Sequence, residues 1–74
     1  MLCRQNLRKE AAARLKQARE KAGYLSPEDF CQKNELALAL YLAHENGKLP
    51  IKSLQAQHYC KLLRVSLPWL LLGD

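Results

Sequence analysis

Apolar residues in this chain recur at helical spacing, and the sequence predicts five helical segments separated by short terminator signals. No stretch shows the strict alternation of apolar and polar residues that is typical of a half-buried strand. Gly23 and the pair Asn46-Gly47 stand where apolar periodicity stops, as residues that end helices do. The pattern therefore predicts an all-α fold.

The first segment is the longest and is expected to run from about Leu2 to Ala22. Its apolar residues recur every three or four positions and form one stripe along a helix. The stripe consists of Leu7, Ala11, Leu15, Ala18 and Ala22. Gly23 then supplies the C-terminal cap.

The second segment begins at Ser26, a favoured N-cap residue, with Pro27 at the first helical position. Asp29 completes a pattern similar to a capping box. Phe30 and Cys31 are expected to start the buried face of this helix.

The third segment, from about Leu36 to Glu45, is nearly all apolar. Leucines stand at every second position from 36 to 42 and cover more than one helix face, so they cannot all belong to the core. The segment should end sharply, because Gly47 favours a left-handed conformation and Pro50 prevents continuation.

The last two segments are expected near Ser53 and after Ser66, which is the expected N-cap of the fifth helix, with Pro68 early in that helix. The fourth has an inward stripe, made of Ala56, Tyr59, Cys60 and Leu63. In the fifth, Trp69 is predicted to be the largest core side chain. The 74 residues are expected to form one domain, in which residues 1–13 extend the first helix.

The positive charge of the chain is concentrated in the first segment. The net charge is +5, and residues 1–22 hold seven Lys or Arg against two Glu, whereas residues 23–74 are balanced. Such a patch can serve a polyanion such as nucleic acid, or can simply be a solvated helix face.

The remaining chemistry argues against an enzyme. The three cysteines are widely spaced, and Cys31 and Cys60 fall on apolar helical positions, which predicts core residues rather than a disulfide or a zinc site. His44 is expected to cap carbonyls at a helix exit, and His58 to be solvated. We expect neither metal nor cofactor.

No run of apolar residues reaches the length of a membrane span, and charged residues follow the N-terminus at once. We therefore expect a cytoplasmic protein that does not contact membranes.

The order "RLKQAREKAG", "LSPEDF", "HENGKLP" and "VSLPWLLLGD" resembles the helix-turn-helix domain of the lambda-repressor-like (Cro/C1-type, XRE) family. It is most similar to a phage-repressor subgroup with Tyr-x-x-His-Glu-Asn-Gly at the end of the third helix. The similarity covers about Arg14 to Asp74 without a gap. It implies a compact five-helix DNA-binding domain of phage or bacterial type that regulates transcription, with the third helix in the major groove. A protein of this kind would be nucleoid-associated.

The resemblance also implies roles for particular residues. The recognition helix would span about 36–45, and Glu45 would occupy a buried acidic position paired with Arg19. DNA contacts would come from phosphate-binding and groove-facing side chains, which are Ser26, Ala37, Leu38, Ala39, Leu42, Lys48 and Lys52.

This sequence departs from the family pattern in its recognition helix. No Lys or Arg lies between Asn34 and Gly47, so the helix can offer thymine methyl groups apolar contacts but cannot bond guanine as Arg or Lys does. A glycine is usual where Glu35 stands, and Asn34 is expected to adopt the left-handed conformation instead.

Three interpretations follow. In the first, the protein binds double-stranded DNA, mainly through phosphates, and any homodimer forms through these same helices. In the second, it is a degenerate helix-turn-helix that binds a protein partner at Leu38 and Leu42. In the third, several leucines pack inward and nothing functional is exposed.

Overall fold

The computed structural model describes residues 4–73, with the backbone alone for residues 4–8. This range contains five helices and no strand: α1 (Arg4–Lys21), α2 (Pro27–Asn34), α3 (Leu38–Glu45), α4 (Ser53–Leu63) and α5 (Leu67–Leu72). The all-α prediction is therefore confirmed for the described part of the chain. The predicted helix start at Leu2 and the thiol of Cys3 lie outside the described residues.

Two helices begin with the side-chain caps that the sequence predicts. The Ser26 hydroxyl accepts a hydrogen bond from the Asp29 backbone N–H at 3.1 Å, and the Ser66 hydroxyl accepts one from the Trp69 N–H at 3.2 Å. Each cap is followed by a proline in the first turn, where the missing N–H costs nothing. These local interactions fix where α2 and α5 start.

The turn between α2 and α3 corrects one prediction. The left-handed residue is Glu35, with φ 55° and ψ 46°, and Asn34 is instead the last residue of α2. The Asn34 amide donates to the Phe30 carbonyl at 2.9 Å, while the Leu36 N–H donates to the Cys31 carbonyl at 2.8 Å. The hydrogen bond from Leu36 to Cys31 caps the C-terminal end of α2, and it can form only if the residue after Asn34 adopts a left-handed conformation.

Helix α3 begins at Leu38, two residues later than predicted, after Ala37, which provides no side-chain cap. Its end is as sharp as expected. Gly47 has φ +76°, and the Lys48 N–H donates to the Ala43 carbonyl at 2.9 Å. Glycine tolerates this conformation without strain, so the chain leaves α3 within one residue.

The core lies where α1 packs against α3 and α5, α2 against α3, and α4 against α5. Phe30 is at its centre: its ring centroid lies 5.0 Å from that of Tyr24, 5.1 Å from Tyr41 and 6.5 Å from Tyr59. The core cluster comprises Leu15, Ala18, Phe30, Cys31, Tyr41, Ala56, Tyr59, Cys60, Leu63 and Leu70. All four residues predicted for the stripe of α4 and both predicted core cysteines are thus confirmed.

Two predicted core positions are wrong or overstated. Ala22 is exposed, because α1 ends at Lys21 and the stripe has already left the packed region. Trp69 is only partly buried against the core, since the short α5 turns Leu70 inward. The largest fully buried side chain among the described residues is Tyr41.

Candidate nucleic-acid interface

Helix α3 is fixed to α1 by a buried ion pair. The Arg19 Nε donates to the Glu45 carboxylate at 2.9 Å, and the two side chains are 3% and 9% exposed. The Tyr41 hydroxyl donates to the same carboxylate oxygen at 2.8 Å, and an Arg19 Nη1 donates to the Tyr24 carbonyl at 2.7 Å. The ion pair predicted between Arg19 and Glu45 is therefore present, within a larger network.

This network perturbs the ionisation of its members. Burial alone would lower the pKa of Arg19, but the hydrogen bond to Glu45 and its charge outweigh burial and raise it. Burial, reinforced by the bond to Glu45, also raises the pKa of the Tyr41 phenol. The guanidinium stays charged and the phenol neutral, which is the combination that these hydrogen bonds require.

His44 does not cap the exit of α3, contrary to the prediction. The ring is buried, and its Nδ1 lies 2.8 Å from the Tyr59 hydroxyl, with which it shares a hydrogen bond. Burial lowers the pKa of His44 and raises that of Tyr59 to about 12. Because the buried imidazole is neutral, it makes no favourable charge interaction with the helix dipole. His44 is a core residue that joins α3 to α4.

One face of α3 remains uncovered by the rest of the domain. Leu36 and Leu38 pack against the core and are partly buried, while Tyr41 and His44 are fully buried. The exposed positions of this segment are Ala37, Ala39, Leu40 and Asn46, and Leu42 and Ala43 are partly exposed. Among the residues predicted to face the groove, Ala37 and Ala39 are exposed and Leu42 is partly exposed. Leu38 is partly buried and packs against the core.

Charged residues of both signs precede and follow α3 in the chain. Glu28 on α2 and Glu35 in the turn before α3 are exposed, whereas Asp29 is paired with Lys33 at 3.4 Å. Lys48 and Lys52 are both exposed in the segment between α3 and α4. Phosphates would be attracted to the lysines and repelled by the two glutamates.

Ser26 is positioned differently from the two lysines. It is partly exposed, and its hydroxyl oxygen already accepts the capping hydrogen bond from Asp29. A hydroxyl still has one hydrogen to donate. Ser26 can therefore cap α2 and donate to a phosphate at the same time.

A shallow depression of about 200 Å³ lies beside the open face of α3. Leu40 and Leu49, which are 39% and 46% exposed, contribute apolar surface to it. The remaining lining residues are His44, Pro50, Lys52 and Gln55. The more exposed leucines of this region are Leu40 and Leu49, whereas Leu38 and Leu42, which the sequence predicts as a partner surface, are only partly exposed.

Asn46 is predicted from the sequence only as part of a helix terminator. The structure places it at the end of α3 with near-helical φ −85° and ψ −7°, and its side chain is exposed. The sequence carries a signal for this placement. If the helical repeat of α3 is continued to residue 46, Asn46 falls about two turns after Ala39 and therefore on the same face.

Comparisons with protein-family models, with curated proteins and with solved structures found no match. Among the described residues, no helix is both long enough and apolar enough to cross a membrane.

Proposed function

We propose that this protein binds double-stranded DNA as a helix-turn-helix regulator of transcription, with α3 in the major groove. The observation that carries the proposal is the α2–turn–α3 unit. Two helices of eight residues are joined by residues 35–37, and one face of the second helix is open. This connection has the length of a helix-turn-helix turn.

The buried contacts of α3 support the proposal because a reading helix must be held rigidly. Arg19 and Tyr41 both bond the Glu45 carboxylate, and His44 bonds Tyr59. These bonds fix α3 to α1 and α4 through the side opposite its open face. The resemblance of "HENGKLP" and the neighbouring segments to the lambda-repressor-like family supports the same assignment.

The proposed contacts divide into phosphate binding and base reading. Lys48 and Lys52 attract phosphates, and Ser26 donates one hydrogen bond. Ala37 and Ala39 contact thymine methyl groups, as small apolar side chains do in the major groove. Because phosphate contacts dominate, binding depends strongly on salt and its sequence specificity is modest.

A second function is favoured by one observation, the exposure of Leu40 and Leu49 around the depression beside α3. Exposed leucines side by side form the kind of patch that binds another protein. In this second function α3 keeps its place in the fold but contacts a protein partner or a second copy of the chain.

The test is fluorescence anisotropy with labelled random duplex DNA, titrated at several salt concentrations. We expect the logarithm of the association constant to fall linearly with the logarithm of the salt concentration, with a slope that corresponds to the release of several counterions. Lys48→Gln and Lys52→Gln should each reduce the slope by about one. Lys61→Gln is the matched control: it removes the same charge from an exposed position on α4 and should leave the slope unchanged.

The same assay separates the two functions. Wild-type protein that binds no duplex even at low salt would exclude DNA as the ligand. If Leu40→Ser together with Leu49→Ser abolishes self-association or partner capture while DNA binding never appears, the protein-binding function is correct instead.

A further inference from the structure

The N-terminal half of α3 carries small apolar side chains on its open face. In a docked helix-turn-helix, the N-terminal residues of the reading helix contact base edges. Here those residues are Ala37 and Ala39, which are exposed, followed one turn later by Ala43, which is partly exposed. At about 100° per residue, Ala39 and Ala43 lie about 40° apart, and both lie about 100° or more from the buried side of the helix, where Tyr41 and His44 are. Two alanine methyl groups, one turn apart, therefore face away from the domain.

Polar side chains are scarce at this end of α3. Residues 36–43 are all Leu or Ala except Tyr41, whose hydroxyl donates to the Glu45 carboxylate at 2.8 Å. In the last turn of α2, the Asn34 amide nitrogen donates to the Phe30 carbonyl at 2.9 Å. Glu35 is exposed in the turn, but its carboxylate only accepts hydrogen bonds and cannot bond the O4 atom of thymine. The helix therefore presents methyl groups at the positions from which bases are read.

Resting on the proposed function, we infer that α3 reads the C5-methyl group of a pyrimidine and not the identity of the base, so that it binds 5-methylcytosine as well as thymine. Both bases carry this methyl group on the major-groove edge. They differ at position 4, where thymine has an oxygen acceptor and cytosine an amino donor. An alanine methyl group neither donates nor accepts a hydrogen bond, so it cannot sense that difference. The ligand class is duplex DNA with methylated pyrimidines, and cytosine methylation strengthens binding.

The neighbouring side chains favour this ligand. Leu40 is 39% exposed and Leu42 is partly exposed, and on the helix surface they lie on either side of Ala39. Their apolar atoms exclude water around a methyl group that contacts the alanine. Lys48 and Lys52 are exposed after α3, and the chain has a net charge of +5, which suits a polyanion. Removing one methyl group from water changes affinity by a factor of about three to five.

The experiment starts from a duplex that wild-type protein selects out of a random pool. Each thymine is replaced in turn by uracil, by cytosine and by 5-methylcytosine, with guanine opposite the two cytosine bases. The four bases thus combine the presence or absence of the methyl group with either an oxygen or an amino group at position 4. At the contacted positions we expect thymine and 5-methylcytosine to bind about equally well, and uracil and cytosine about three- to fivefold more weakly in fluorescence anisotropy.

The variant Ala39→Gln should exchange methyl recognition for base recognition. A glutamine amide can bond N6 and N7 of adenine, so at that base pair the variant should bind the thymine and uracil duplexes alike and both cytosine duplexes more weakly. Ala13→Gln is the matched control: it makes the same change at an exposed position of α1 and should keep the wild-type preference. Glutamine is a good helix former, so both variants should keep the wild-type circular dichroism spectrum.

The outcomes separate this inference from the function on which it rests. Wild-type protein that binds no duplex contradicts the proposed function itself. If the protein binds DNA but does not distinguish thymine from uracil, or cytosine from 5-methylcytosine, then DNA binding stands and methyl recognition is overturned.

Discussion

At the residue scale, His44 shows how strongly the environment decides a side chain's role. At the end of a helix a histidine is favourable when protonated, because the carbonyl end of the dipole attracts positive charge. In this fold the ring faces Tyr59 and is buried, so the charged form is penalised. The same position in the sequence therefore gives a neutral core residue instead of a cationic cap.

The burial of His44 predicts that acid destabilises the domain. Its pKa is lowered in the folded state, so at about pH 6 the unfolded chain binds more protons than the folded one. The stabilisation is complete above the ordinary histidine pKa and is lost as pH falls toward the folded pKa. Urea unfolding at about pH 7.5 and at about pH 5, on either side of the ordinary histidine pKa of roughly 6.5, should show this fall.

The histidine variants identify the group responsible. His58 is exposed on α4, so His58→Gln should leave the pH dependence intact, whereas His44→Gln should flatten it. A profile that is equally steep in both variants would assign the effect to other groups.

At the element scale, the turn between α2 and α3 requires a left-handed backbone conformation at a position that is occupied by glutamate, not glycine. The turn needs a left-handed residue after Asn34, and it places Glu35 there with φ 55°. That conformation costs an ordinary L-residue about 1–2 kcal/mol. Glu35 also places a negative charge in the turn that precedes α3.

Glu35→Gly should therefore raise both stability and DNA affinity. Glycine removes the left-handed strain but gains unfolded-state entropy, so the net increase in the free energy of unfolding should be about 0.5–1 kcal/mol. Urea unfolding measures the stability, and anisotropy with random duplex DNA measures the affinity.

Glu35→Ala is the control for this change, because it removes the charge and keeps the strained Cβ. It should increase DNA affinity without the gain in stability. A glycine variant that is less stable than wild type would show that the glutamate side chain makes a favourable interaction in the turn.

At the scale of the whole molecule, the Arg19–Glu45 pair determines how α3 is held by the domain. The pair joins the longest helix to the end of the proposed reading helix, 26 residues later in the chain. Arg14 makes a comparable link to the other end of the fold, since its Nε donates to the Leu70 carbonyl at 2.9 Å. Helix α1 therefore contacts both α3 and α5 through arginines as well as through its apolar stripe.

Arg19→Met should cost about 3–5 kcal/mol of unfolding free energy, because it leaves the buried Glu45 carboxylate without its cation. Lys33→Met is the matched control. Lys33 pairs with Asp29 at 3.4 Å on the surface, and losing an exposed pair should cost no more than about 1 kcal/mol. Similar losses in urea unfolding for both variants would mean that burial does not distinguish the two pairs.

Much of the fold follows from local sequence information. Ser26 and Ser66 cap the helices that they precede, Gly47 ends α3, and the α4 stripe from Ala56 to Leu63 is buried as its spacing predicts. Each of these depends on residues within one or two helical turns, so their spacing is visible in the sequence. The Arg19–Glu45 pair has no such local signal in the sequence, and only the resemblance to a family implies it.

The tertiary structure decided what local spacing could not. Leu38 and Leu40 are both leucines on one apolar helix, yet one packs against the core and the other is exposed. His44 became a core residue only because Tyr59 faces it from α4. The sequence alone determined the helices and most of their ends, because caps and periodicity act over a few residues, but the α2–α3 turn and the start of α3 differ from the prediction. Which face of α3 is covered depends on contacts between helices that are distant in the chain, and that face is the one from which its function is proposed.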